Sequence, residues 1–160
     1  MKETIWQLTA IDVCSSDAWA ELVSCKRGQP SAVQTSKLAR RVAAELQAAG
    51  WRLERVLSDN GSEFRGRFEQ TLERLGARAT RIRAGRPQTN GAVEALHRTI
   101  LEECWRPAFA RYLQVRLQGL RRDLADYLRY YNLERAHTGR LTRGRAPAEI
   151  VYGARKMEAR

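Results

Sequence analysis

The stretch Arg55-Val56-Leu57-Ser58-Asp59-Asn60-Gly61-Ser62-Glu63-Phe64 decides how the chain folds. Leu53 to Leu57 reads as a short strand. Asp59-Asn60-Gly61-Ser62 reads as the turn that ends it, because these residue types supply local side-chain hydrogen bonds and backbone freedom. Beyond the turn, Phe64, Phe68, Leu72 and Leu75 recur at helical spacing, Gly76 closes the helix, and Ala79 to Ile82 is strand-like again. Strand, turn, helix and strand predict a crossover between parallel strands. Asp59 then stands at the carboxyl end of a strand, where open α/β sheets place their sites.

Upstream, Thr4 to Val13 and Ala18 to Cys25 are apolar and β-branched segments around Ser15-Ser16-Asp17, a predicted hairpin. Val33 to Ala49, with Val33, Leu38, Val42 and Leu46 in register, predicts a helix ending at Gly50. Downstream the pattern turns helical, from Asn90 to about Trp105 and, after Pro107, through Phe109, Tyr112, Leu117, Leu120, Leu124 and Leu128. The division expected is an α/β core over residues 1–106 with a helical C-terminal extension of the same domain over 107–160. No repeat or linker interrupts it.

The 160 residues are 43% hydrophobic and 29% charged, ordinary for a globular chain, but 29 Lys and Arg stand against 18 Asp and Glu. The net charge of +11 directs the chain toward a polyanion, first of all nucleic acid. Residues 95–160 alone carry +7, and Arg, whose fork suits phosphate, outnumbers Lys by 25 to 4. No apolar run reaches the ~18 residues of a membrane span and no signal-peptide core opens the chain, so a cytoplasmic protein without membrane contact is expected. A Gly-x-x-x-x-Gly-Lys-Ser/Thr phosphate loop is absent, which excludes that class of nucleotide-driven motor. Cys14, Cys25 and Cys104 fit neither a disulfide framework nor a zinc site and are expected as reduced core residues. Trp6, Trp19 and Trp51 are expected in the core, with Trp105 exposed.

Three carboxylates stand out against the basic background. Asp12 ends the first strand, where strand propensity disfavours Asp; Asp59 ends the third; Glu94 opens a helix. Each has a plain alternative, Asp59 as a turn residue and Glu94 as a first-turn acid complementing the helix dipole. Were the first strand to lie beside Leu53 to Leu57, Asp12 and Asp59 would face one another. Hard divalent cations would then relieve the repulsion of the clustered carboxylates.

Ile11-Asp12-Val13, Leu57-Ser58-Asp59-Asn60-Gly61-Ser62-Glu63-Phe64 and Pro87-Gln88-Thr89-Asn90-Gly91-Ala92-Val93-Glu94 resemble the three acidic blocks of the retroviral-type integrase core, and more narrowly of DDE transposases of bacterial insertion sequences. Tyr131-Asn132-Leu133-Glu134-Arg135-Ala136-His137, followed by Gly144-Arg145-Ala146-Pro147, is similar to the family's Tyr-Asn-x-x-Arg-Pro-His tail and its later Thr-Pro. The resemblance implies a ribonuclease H-like α/β fold, a mixed sheet flanked by helices. It implies Asp12, Asp59 and Glu94 as catalytic, metal-binding residues, holding two Mg²⁺ or Mn²⁺ ions for DNA strand cleavage and joining. DNA contacts are expected from Asn60, Asn90, His97, Arg98, Arg135 and His137. Partners implied are DNA, further copies of the chain on DNA ends, and an upstream helix-turn-helix domain or chain. The chain departs from the family at Ala95 and Asp17, where basic residues are usual, and at Ala136 and Ala146, which replace Pro and Thr. The competing readings are a non-catalytic DNA-binding or oligomerisation module with a vestigial triad, and a ribonuclease H-like nuclease.

Overall fold

Residues 12–17 join β1 (Thr4–Ile11) to β2 (Ala18–Cys25), and so short a connection permits only antiparallel pairing. This computed structural model describes residues 3–26, 28–82, 91–139 and 141–153. Its chain forms two compact units, Met1–Leu8 with Leu22–Asn90 and Thr9–Glu21 with Gly91–Arg160, so the hairpin contributes to both.

In the first unit, α1 (Ala32–Ala48) starts at Ser31, whose hydroxyl accepts from Gln34 N while the Gln34 side chain accepts from Ser31 N at 2.8 Å. This reciprocal cap satisfies donors that a helix start otherwise leaves open. The crossover read from the sequence is present. β3 (Arg55–Ser58) pairs in parallel with β4 (Arg78–Arg81), and between them lie a 3₁₀ turn (Ser62–Phe64) and α2 (Arg67–Arg74). Ala39 of α1 packs with Phe68, Leu72 and Ala77, flanked by Leu53, Val56 and Phe64, and the Phe64 and Phe68 rings meet edge to face at 5.3 Å. Gly66, at φ +54°, turns the chain into α2 in a backbone region that favours glycine.

In the second unit, α3 (Gly91–Ile100), a π-helical segment (Leu101–Trp105) and α4 (Arg106–Arg111) form one continuous helical path. The expected interruption at Pro107 is not there. Leu96, Ile100, Cys104 and Ala108 are all buried. Four-residue spacing drifts by about 40° per step on an α-helix, and the wider π turn resets that drift so that one face stays inward. The same shifted bonding, Arg106 N to Leu101 O, accommodates the missing N–H of Pro107. α5 (Leu117–Leu133) buries Leu120, Leu124, Leu128 and Tyr131, and α6 (Pro147–Val151) packs against it.

Among the described residues the strands form two separate two-stranded sheets, β1 with β2 and β3 with β4. The condition under which Asp12 and Asp59 face each other, a ladder between β1 and β3, is absent from them. Trp19 is buried as expected, whereas Trp6 and Trp51 are exposed; Trp6 Nε1 donates to Gly28 O. Cys25 and Cys104 are buried free thiols, and burial pushes Cys104 up to about 11. Cys14 is exposed, because it sits in the hairpin turn rather than in a strand.

Candidate active site

Asp12 closes the hairpin turn with its own side chain. Oδ2 accepts from Ser15 N at 2.9 Å and from Ser15 Oγ at 2.6 Å, and Ser15 Oγ accepts in turn from Asp17 N at 3.1 Å. Backbone bonds from Asp12 N to Asp17 O and from Ser16 N to Asp12 O, both 2.8 Å, complete the turn. They hold Ser16 at φ +62°, a conformation that costs a non-glycine residue and persists only where its surroundings impose it.

Glu94 belongs to the same unit and stands exposed in the first turn of α3. One helical turn on, His97 Nε2 is hydrogen-bonded to Thr9 Oγ1 at 2.5 Å, which ties the end of β1 to the helix that carries Glu94. Burial pushes His97 below the usual imidazole value, and the nearby Glu94 charge opposes that shift. Arg98, four residues after Glu94, is exposed, as is Ala95. Asn90 lies outside the described residues.

Asp59, in the first unit, is exposed in the turn after β3. Its Oδ1 accepts from Gly61 N at 2.9 Å, an Asx turn. Asn60 Nδ2 donates to Ile82 O at 3.3 Å and Arg65 Nη2 donates to Asn60 O at 3.3 Å, while Thr35 Oγ1 of α1 donates to Glu63 O at 2.6 Å. A side chain at Gly61 would meet the Glu63 carboxylate, whose oxygens fold back over it. The loop is thus held from Ile82 just past β4, from α1 and from within.

Among the described residues, none of the ion pairs involves Asp12, Asp59 or Glu94. Nor do three His, Cys, Asp or Glu side chains gather into a metal-holding group among them. The donor chemistry nonetheless suits a hard divalent cation, since all three side chains offer carboxylate oxygen and, among the described residues, none is in an ion pair with Lys or Arg.

The tail motif behaves differently. Asn132 Oδ1 accepts from Ala18 N at 2.9 Å and its Nδ2 donates to Ala18 O at 2.7 Å, so one side chain clasps both polar groups of a buried backbone residue 114 positions away. Arg135 forks onto Glu103, with Nε to Oε2 at 2.9 Å and Nη2 to Oε1 at 2.7 Å, and its guanidinium lies 5.7 Å from the Tyr131 ring centre. Tyr127 Oη donates to the same Glu103 at 2.8 Å. Arg135 holds the Glu103 carboxyl below its usual range, and burial, followed by the Glu103 bond, pushes the Tyr127 phenol up. His137 is buried, packs edge-on against Tyr131 at 4.5 Å and donates its backbone N–H to Arg145 O at 3.2 Å. Its burial lowers its pKa.

The structure places His137, expected as a DNA contact, with its ring buried against Tyr131. Arg135 likewise has its fork occupied by Glu103. Asn132, the residue with the longest-range role in the motif, was not singled out by sequence reasoning; its two-sided partner is invisible without the fold. Ala146 sits at the start of α6, where its N–H donates to Glu149 Oε2 at 2.7 Å, but it has no hydroxyl to return the bond.

Residues 75–142 match the family model described as an integrase core domain. Over its whole length the chain superposes on the catalytic core domain of BIV integrase with a TM-score of 0.67, at 22% identity and covering 96% of that chain. It also superposes on a chain of the simian T-cell lymphotropic virus intasome in complex with PP2A regulatory subunit B56 gamma, with a TM-score of 0.72 at 14% identity, covering 95% of this chain and 52% of that one. The fold is thus the ribonuclease H-like fold of integrase catalytic cores. Among curated proteins, the chain is 28% identical over 85 residues to the transposase for insertion sequence element IS904 of Lactococcus lactis subsp. lactis (strain IL1403). That similarity takes in 52% of this chain and 32% of the transposase, so the chain spans about a third of the relative it matches. The resemblance to transposase and integrase cores read from the acidic blocks is borne out.

Proposed function

We propose that this chain is the catalytic core of a metal-dependent DNA strand transferase, cutting strands at element ends and joining the freed 3′-hydroxyl to target DNA. The observation that carries this reading is the state of the three family carboxylates. In a chain with 25 arginines, Asp12, Asp59 and Glu94 have no ion-pair partner among the described residues, two of them standing exposed. Carboxylates left unneutralised on so basic a protein suit divalent cations.

Asp12, Asp59 and Glu94 would hold the two Mg²⁺ or Mn²⁺ ions. Bound there, the ions would activate water or a 3′-hydroxyl and stabilise the departing oxygen. The chain's own part is positioning. Ser15 fixes the Asp12 carboxylate through Oδ2, and Gly61 N fixes that of Asp59 through Oδ1, each leaving its second oxygen for a cation. Asn60, Asn90, His97 and Arg98 would border the phosphate path. No side chain need become a covalent intermediate. Further copies of the chain on DNA ends, a helix-turn-helix segment that recognises those ends and a cytoplasmic location complete the proposal. No helix among the described residues is long and apolar enough to cross a membrane.

The test is strand joining with pre-cleaved ends and Mn²⁺, with an end-recognition segment supplied in trans. Asp12→Asn and Asp59→Asn should each abolish joining while leaving DNA binding intact. Glu63→Gln, close to Asp59 but outside the triad, should be mild. Near-native joining by either Asp variant refutes the triad. Hydrolysis without joining selects the nuclease reading, and an inert native chain that still binds DNA selects the non-catalytic module.

A further inference from the structure

On α2, Arg67, Gln70, Thr71 and Arg74 follow the i, i+3, i+4, i+7 spacing of one helical face, beside the buried stripe of Phe68 and Leu72. Together with Arg40 of α1 they line a groove of about 320 Å³. The two walls pack against each other. Ala39, next to Arg40, packs against Phe68 and Leu72, so the apolar packing that joins the helices also sets the width of the groove.

Among the described residues the groove's arginines, Arg40, Arg67 and Arg74, take part in no ion pair, whereas the α2 acid Glu69 is engaged by Arg81 and by Gly66 N. Thr71 is buried and donates its hydroxyl to Arg67 O, so it forms the floor and leaves the guanidinium forks as the groove's ligand-seeking groups. Three arginine forks on a preformed wall suit phosphate oxygens, which accept two parallel N–H bonds from a guanidinium. Arg67 and Arg74 are two helical turns apart, about 10.5 Å along the helix, more than one phosphate group spans. That separation fits a run of backbone phosphates better than one small anion.

We infer that the groove between α1 and α2 is a second DNA-phosphate site, holding a strand through Arg40, Arg67 and Arg74 independently of the acidic-block residues. The inference rests on the reading of the chain as a DNA-acting core. The three arginines engage phosphate, so the groove fixes where DNA lies and does not read base sequence.

The experiment is a fluorescence-anisotropy titration of the whole chain with a labelled random-sequence duplex, without divalent metal, across a series of salt concentrations. The triple variant Arg40→Gln, Arg67→Gln, Arg74→Gln should bind on the order of tenfold or more weakly. Its plot of log affinity against log salt should be shallower by about 2 to 3, since each phosphate that is no longer neutralised removes about 0.9 from the slope. A control of equal charge, Arg52→Gln, Arg55→Gln, Arg78→Gln, should change that slope by less than about 1. If the triple variant melts early, the single Arg74→Gln at the exposed end of α2 carries the test, with a slope change of about 0.9. A native slope in the groove variant, or an equal loss in the control, overturns the inference while leaving DNA binding by the chain in place. A native chain that binds no DNA overturns the inference together with the reading beneath it.

Discussion

The acidic blocks and the Tyr-Asn-x-x-Arg-x-His tail look equally functional as sequence, yet the structure treats them in opposite ways. In the blocks, Asp12, Asp59 and Glu94 lack a cation partner among the described residues, and the hydrogen bonds of Asp12 and Asp59 are local ones that hold a turn. In the tail, Asn132, Arg135 and His137 direct their polar groups inward, to Ala18, Glu103 and Tyr131. A motif residue is available for chemistry in proportion to the valence its own fold leaves unsatisfied. On the proposed reading the blocks are the working part, while the tail is a clasp within the second unit.

The largest effect expected is on catalysis. Asp12→Asn, Asp59→Asn and Glu94→Gln should each lower strand joining by on the order of 10³-fold or more, and double variants should be little worse than singles, because groups that assemble one site fail together. Single-turnover joining rates check this, and additive losses would break the unity of the blocks. On the tail side, Asn132→Ala leaves the buried N–H and C=O of Ala18 without partners and should cost about 2 kcal/mol of stability in urea unfolding. Arg135→Ala should cost about 1 kcal/mol, less because the pair is partly open to solvent.

Acid should weaken the tail in two phases. The folded state keeps His137 below its usual value of 6.5, so between the two values the unfolded chain binds more protons, and stability falls as pH drops below about 6.5. Glu103, held below its usual 4.5 by Arg135, adds a further loss as pH falls through and below that value. Thermal melts from pH 7.5 down to 3 should show both phases, and His137→Phe should reduce the upper one without removing it, because burial also holds His97 below 6.5. The smallest effect sharpens the account of the tail. Ala146→Ser restores the missing hydroxyl at the start of α6 and should raise stability by up to about 1 kcal/mol.

What was legible beforehand follows from range. Spacing and local turn chemistry were enough for α1, for the β3–α2–β4 crossover and for the hairpin, since each is set by residues within a few positions. Pro107 misled because its local signal is a break, while the π turn that absorbs it is imposed by the buried face of Leu96, Ile100, Cys104 and Ala108. The acidic blocks were legible as a resemblance. The role of Asn132 was not, because its partner lies 114 residues away, and no propensity encodes a contact of that span. Trp6 and Trp51 show the same limit, since hydrophobicity alone does not say which aromatic a small core has room for.

The proposed division between catalytic blocks and structural tail is tested most directly by measuring joining rate per folded molecule and urea stability on the same two variants, Glu94→Gln and Asn132→Ala. Glu94→Gln should lose joining with its unfolding midpoint unchanged, while Asn132→Ala should join at a near-native rate per folded molecule with its midpoint lowered. Near-native joining by Glu94→Gln, or an Asn132→Ala chain of native stability that no longer joins DNA, would contradict the account.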